Sequence, residues 1–362
     1  MKIDGALSMS LSGTPAGSGS DSRSAPTASR ARGGGAEAAQ FEQLGLDGAW
    51  SFEGNHDPFV PLVLASQTTE RIELGTAIAV AFARTPMMSA QMAWDLQTLT
   101  DGRFILGLGT QIKPHIEKRF GMPWSKPAAR MREYVQAVHA IWDCWTTGEK
   151  LDFRGDFYSH TLMPPLFRPP PLQVPVPKIY LAGVGPHMMK AIGEVADGFF
   201  VHPFHSPEFL QAETLPALAA GSTAAGRPED VVDIACLTIV AMGSDEESLA
   251  KARHKAKAQL AFYGSTPAYA GVLEHHGFGE LQPELNAMTK QGRWSEMTAL
   301  IDDDLLETLA VSGTPAEVGA AIAERNRFAD RTTMMFYGPQ PSAEALAEVT
   351  ASVRAAEANQ PM

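Results

Sequence analysis

The sequence predicts an α/β fold, a (β/α)8 TIM barrel with loop and helical insertions, and three observations predict it. First, short apolar stretches alternate with amphipathic ones along the chain, to a count of about eight strands. Second, residues 71–86 hold a complete strand–helix unit. Their centre, 72–82, is interrupted only by Glu73, Gly75 and Thr76, as suits a strand covered on both faces. Thr85 and Pro86 then stand as N-cap and first residue of a helix carrying Met87, Met88, Met92, Trp94, Leu96 and Leu99. Third, the runner-up, a doubly wound open sheet, should carry Gly-x-Gly-x-x-Gly in its first strand–helix turn, and none appears there.

Taken in order, residues 2–11 read as the first strand. Residues 12–35 are mostly Ser, Gly, Ala, Pro and Arg without a large apolar side chain, a low-complexity and flexible segment in a chain otherwise read as a single domain over 1–362. A helix over 36–44 closes at Gly45. A strand over 47–52 and a helix over 57–69 precede the unit described above; Gly75 in its strand signals a bulge or another molecule close to the backbone. Residues 103–109 form a strand ending in glycines, 111–126 a long loop, 128–147 a helix and 151–158 a small hairpin around Arg-Gly. The proline-rich 163–177 is a surface connector. Strands follow at 178–182, 198–201, 231–242 and 332–337, with helices at 186–195, 208–220, 245–262 and 315–328 and a closing helix. Residues 265–300 read as further helical segments without a strand.

Composition narrows the function. The chain of 362 residues is 44% hydrophobic and carries a formal net charge of −12, which argues against nucleic acid and anionic membranes as partners. Cys144 and Cys236 fit no metal or redox spacing and read as reduced, buried thiols of a cytoplasmic protein. No stretch reads as a membrane span, and Asp4 stands where a signal peptide would be basic and then apolar.

In such a barrel the chemistry sits at the carboxyl ends of the strands. Glu53 and His56, in Ser51-Phe-Glu-Gly-Asn-His-Asp57, can exchange protons with a substrate or cofactor, while the plainer alternative makes Asp57 a helix cap and the other two surface polar groups. Gly107, Gly109 and Thr110 would let a flat ring or a phosphate approach the backbone. Gly183, Val184 and Gly185, between a strand and a helix, make a phosphate cradle of free N–H groups, without the Gly-Lys-Ser/Thr of a Walker loop. His202 and His205 have a spacing that can hold a metal, but no carboxylate or cysteine set completes it, so no metal site is assigned. His275 and His276 read as surface residues.

Several segments together resemble the luciferase-like flavin monooxygenase superfamily: Thr69-Glu-Arg-Ile-Glu-Leu-Gly-Thr76, Ala93-Trp-Asp-Leu-Gln97, Asp101-Gly-Arg-Phe-Ile-Leu-Gly-Leu-Gly109, Ala182-Gly-Val-Gly-Pro186 and Val195-Ala-Asp-Gly198. More narrowly, His56-Asp-Pro-Phe59, Pro114-His-Ile-Glu-Lys-Arg-Phe-Gly-Met-Pro-Trp124 and Asp152-Phe-Arg-Gly155 look like its deazaflavin (coenzyme F-420)-dependent oxidoreductases. The resemblance implies a deazaflavin ring against the strand around Gly75, where relatives carry a bulge with a non-prolyl cis peptide. Thr76 and Ala77 would line the ring, Gly107, Gly109 and Thr110 would flank it, and Gly183, Val184 and Gly185 would take the phosphate. Glu53 and His56 become the proton-transfer pair, acting on a small, fairly apolar substrate, in a homodimer. Two alternatives stand beside this reading, an FMN-dependent monooxygenase and a flavin-binding barrel without turnover. The stretch 12–35 departs from the family pattern and shortens the first helix.

Overall fold

Small and β-branched residues fill the strands because both faces of a parallel strand must be kept from water. The computed structural model describes residues 1–7, 33–337 and 340–359. The barrel strands are β1 Lys2–Ala6, β2 Gly48–Ser51, β3 Glu73–Thr76, β4 Phe104–Gly109, β5 Lys178–Ala182, β6 Gly198–Val201, β7 Asp233–Met242 and β8 Arg331–Phe336. They neighbour one another in chain order and β8 lies beside β1, the closed eight-stranded ring of a (β/α)8 barrel. The barrel helices are α1 Gly34–Gln43, α2 Phe59–Ser66, α3 Pro86–Leu99, α4 Pro127–Thr147, α5 Pro186–Val195, α6 Leu215–Ala224, α7 Pro315–Arg325 and α8 Ala343–Ala358. By contacts the chain divides into two units: Gly5–Ala182 with Val195–Gly198, and Met1–Asp4 with Gly183–Glu194 and Phe199–Met362.

In the first unit, α1 starts two residues earlier than expected. A Cβ at Gly34 would lie 2.7 Å from Pro61 Cβ, and one at Gly35 3.0 Å from the Leu64 carbonyl, so these glycines let α1 lie tight on α2. The rest of the low-complexity stretch, and residues 8–11 of the expected first strand, fall outside the described residues. α3 opens as expected, with Thr85 accepting the Met88 N–H at 3.3 Å and Pro86 behind it. The hairpin pairs Phe153–Arg154 with Ser159–His160, two residues later than expected. Its turn is placed by Glu133 of α4, which accepts the N–H groups of Asp156, Phe157 and Tyr158 at 2.7–2.8 Å. The expected loop after β4 contains a short helix, Lys113–Lys118, anchored by the buried Ile116.

The largest correction concerns 72–82, which is not one strand. β3 stops at Thr76, the Ala77–Ile78 peptide is cis, Ala79–Val80 pairs with β4, and Ala81–Ala83 is a turn of 3-10 helix. Hydrogen bonds from β2 hold the break: the Ala77 N–H donates to Ser51 O at 2.8 Å and the Glu53 N–H to Ile78 O at 3.1 Å. Gly75 pairs with Trp50, and a Cβ there would lie 2.4 Å from the Trp50 ring and 2.6 Å from the Ile105 carbonyl. Its close neighbour is thus the indole. Gly75→Ala is expected to cost about 2–3 kcal/mol of stability in urea denaturation, since the carbonyl cannot swing away.

In the second unit, Asp4 of β1 and Arg331 of β8 form a two-pronged ion pair at 2.7 and 2.9 Å with both side chains buried. The helix expected over 208–220 is broken into Pro207–Phe209, a π-turn at Leu210–Thr214, and α6. Between β7 and α7 lies the insertion, helical over 265–300 as expected. Its core joins Leu260, Leu273, Leu285, Leu305 and Leu309 to Ile239 and Ala241 of β7. The strand Ala310–Gly313, which the sequence reading missed, pairs in parallel with Ile239–Met242. Cys144 and Cys236 are free and buried. Among the described residues no helix is long and apolar enough to cross a membrane.

Candidate functional site

The predicted residues fall into two groups, one in each unit. In the first unit, Glu53 follows β2 and its carboxylate is nearly covered. It accepts the Val80 N–H at 2.7 Å and is paired with the guanidinium of Arg84, which also reaches Asp57 at 2.8 Å. Burial pulls the Arg84 guanidinium down, and bonding to Glu53 and Asp57 outweighs it, so its pKa is raised and the cation is secure. Asp57 also accepts the Phe59 N–H at 2.9 Å, the capping role weighed for it from sequence. His56 is exposed at this strand end.

Thr76 is fully buried. Its hydroxyl donates to Gly107 O at 2.6 Å and accepts the Gly107 N–H at 3.0 Å, tying β3 to β4. Gly109 is covered by Ile78, whose side-chain carbons lie 2.9 Å from where a Cβ would stand. Between Leu74 and Phe82 only Ala77 and Ile78 are partly exposed, so they are the surface this segment offers a ligand. Thr110 is half-buried and its hydroxyl donates to Gln111 O at 2.9 Å. Gln111 has φ 59, a left-handed conformation that costs a non-glycine residue strain at the end of β4. Ile78, Arg84 and Gln111 were missed. Arg84 lies within residues 71–86, but nothing in the spacing ties it to Glu53.

In the second unit, Gly183, Val184 and Gly185 form part of the wall of a cavity of about 590 Å³, which lies within the range of small-molecule sites. Gly185 has φ +83 with open space where a Cβ would be, and α5 begins at the next residue. The cavity lining includes no lysine or arginine, so an anion there depends on backbone N–H groups and the helix dipole. Phe199, Phe204, Phe209 and Tyr269 give the cavity aromatic walls, and Glu213 and Glu274 also line it.

His202 and His205 line it too. The His202 ring stacks on Tyr269 at 4.3 Å and meets Tyr263 edge-on at 4.7 Å. His205 Nδ1 lies 2.9 Å from the His202 carbonyl, so Nδ1 carries the proton, while Nε2 is buried without a partner. Burial lowers both imidazoles to a pKa of about 3, so both are neutral at pH 7. Among the described residues no group of three His, Cys, Asp or Glu is placed to hold a metal ion. Of the expected surface pair, His275 is exposed and also lines the cavity, while His276 is half-buried and its Nε2 bonds the buried Ser206 hydroxyl at 2.7 Å, a contact between distant segments that spacing cannot reveal.

The family model described as luciferase-like monooxygenase matches residues 10–332. The uncharacterized protein Rv1360 of Mycobacterium tuberculosis is 51% identical to the chain over 288 residues, 80% of this chain and 85% of that one. The 5,10-methylenetetrahydromethanopterin reductase of Archaeoglobus fulgidus is 27% identical over 295 residues, 79% of this chain and 83% of that one. The structure of the coenzyme F420-dependent tetrahydromethanopterin reductase from Methanopyrus kandleri superposes with a TM-score of 0.71 at 23% identity, covering 87% of this chain and 93% of that one, and so shares the fold. With a model match over most of its length, the chain belongs to the luciferase-like monooxygenase family of oxidoreductases.

Proposed function

We propose that the protein is a deazaflavin (coenzyme F-420)-dependent oxidoreductase acting on a small, apolar organic substrate. The observation that carries a phosphate-bearing flavin is the Gly183–Gly185 turn: an open, positive-φ glycine just ahead of a ten-residue helix, in the wall of a cavity of small-molecule size. The preference for deazaflavin over FMN rests on the likeness to the two methanopterin reductases.

Gly183, Val184 and Gly185 would receive the phosphate on their N–H groups. In the first unit, taken by itself, Ala77 with Ile78 would present a surface for a flat ring, over a backbone shaped by the buried Gly75, Thr76, Gly107 and Gly109, and Thr110 would flank it. When bound, a deazaflavin supplies hydride and activates oxygen poorly, which favours reduction or dehydrogenation. His56, exposed beside the covered Glu53, would give or take the accompanying proton. The two buried free thiols support a cytoplasmic protein. Val60, Val63 and Leu64, exposed on α2, support a homodimer.

The test is equilibrium titration of wild type and Gly185→Asp with coenzyme F-420, read by fluorescence quenching. Aspartate sets a carboxylate in the cradle, so affinity should fall at least about tenfold, and the strain of a side chain at φ +83 is read separately as a small loss of Tm. Equal affinities would remove the phosphate from this loop.

A further inference from the structure

We infer that Arg84 and Glu53 act as a clamp that fixes the Ala77–Ile78 surface, with Glu53 a positioning residue and not a proton carrier. The inference rests on the proposed flavin site and extends it to residues that touch no ligand.

The bonds enclose the turn from both sides. The Glu53 N–H holds Ile78 O at 3.1 Å, and its carboxylate takes the Val80 N–H at 2.7 Å. One residue thus grips the chain just beyond the exposed pair, from main chain and side chain together. Arg84 closes the clamp, pairing with that carboxylate while its Nη1 also reaches Val80 O at 3.3 Å. Asp57 holds its other nitrogen at 2.8 Å, and the guanidinium lies over the Phe59 ring at 5.5 Å. The Arg84 and Glu53 side chains are 17% and 7% exposed, so the pair works in a medium where charge-assisted bonds are strong. The Glu53 carboxylate is thus occupied by Arg84 and the Val80 N–H, whereas His56 stands exposed to solvent. Dislodging the turn by a fraction of an ångström would misplace the surface offered to the ring.

The experiment uses the full chain carrying Glu53→Gln, Arg84→Lys or Arg84→Met. Flavin affinity is read by quenching, and the pH profile of turnover is recorded with whichever flavin the wild type binds. The clamp predicts a dissociation constant raised about tenfold in Glu53→Gln and Arg84→Met, partial rescue in Arg84→Lys, and a pH profile of unchanged shape. A profile that loses one limb in Glu53→Gln at unchanged affinity would overturn it, making Glu53 a proton carrier. Unchanged affinity in Arg84→Met, with a cooperative melt confirming the fold, would overturn it as well. Failure of the wild type to bind any flavin would instead sink the site reading on which the clamp rests.

Discussion

Asp4→Ala lowers the unfolding free energy by about 3–5 kcal/mol, the largest loss expected from any single change in the second unit. Asp4 and Arg331 are 0% and 2% exposed, and two bonds at 2.7 and 2.9 Å join them across β1 and β8. Removing the carboxylate leaves a guanidinium buried without its countercharge, and that desolvation outweighs the lost attraction. The measurement is urea denaturation at pH 7. The double variant Asp4→Leu with Arg331→Met should recover most of the loss, because replacing a whole buried pair by apolar groups is close to neutral. A single-variant loss under about 1 kcal/mol would mean that water reaches the pair.

The second large effect is a loss of stability as pH falls from 7 to 5, about 2 kcal/mol for each of two histidines. His202 and His205 titrate near 3 in the fold against 6.5 in the ordinary state, because burial disfavours the imidazolium. The unfolded chain therefore binds more protons throughout that window. Stability is fully present above about 6.5, is lost as pH falls, and levels off below about 3. His160 and His276, also lowered by burial, act in the same direction. Denaturation at both pH values measures the drop, and His202→Phe, which keeps an aromatic ring on Tyr269, should reduce it by about 2 kcal/mol. A drop equal to the wild type's in that variant would show that the buried imidazole does not drive it.

The barrel was legible because two-faced apolar strands and capped helices are local signals, as Thr85 and Pro86 illustrate at α3. What was not legible is set by partners distant in sequence. The break after Thr76 is held by Ser51 and Glu53 of another strand end, and the hairpin register by Glu133 of α4. Gly75 was read as a bulge or the approach of another molecule, whereas what lies against it is Trp50 of the same chain, which no sequence pattern announces. Glu53 and His56 were singled out by residue type, by their place after the second strand and by the family resemblance; their different surroundings, one clamped and one exposed, exist only once Arg84 is folded against β2. The strand Ala310–Gly313 went unread because Val-Ser-Gly is too short to carry a period.

The most direct test of the proposed function is a side-by-side titration of the purified protein with coenzyme F-420 and FMN, followed by quenching of cofactor fluorescence. Tight binding of the deazaflavin with FMN at least about tenfold weaker is the predicted result. FMN binding more tightly, or neither binding, would contradict it.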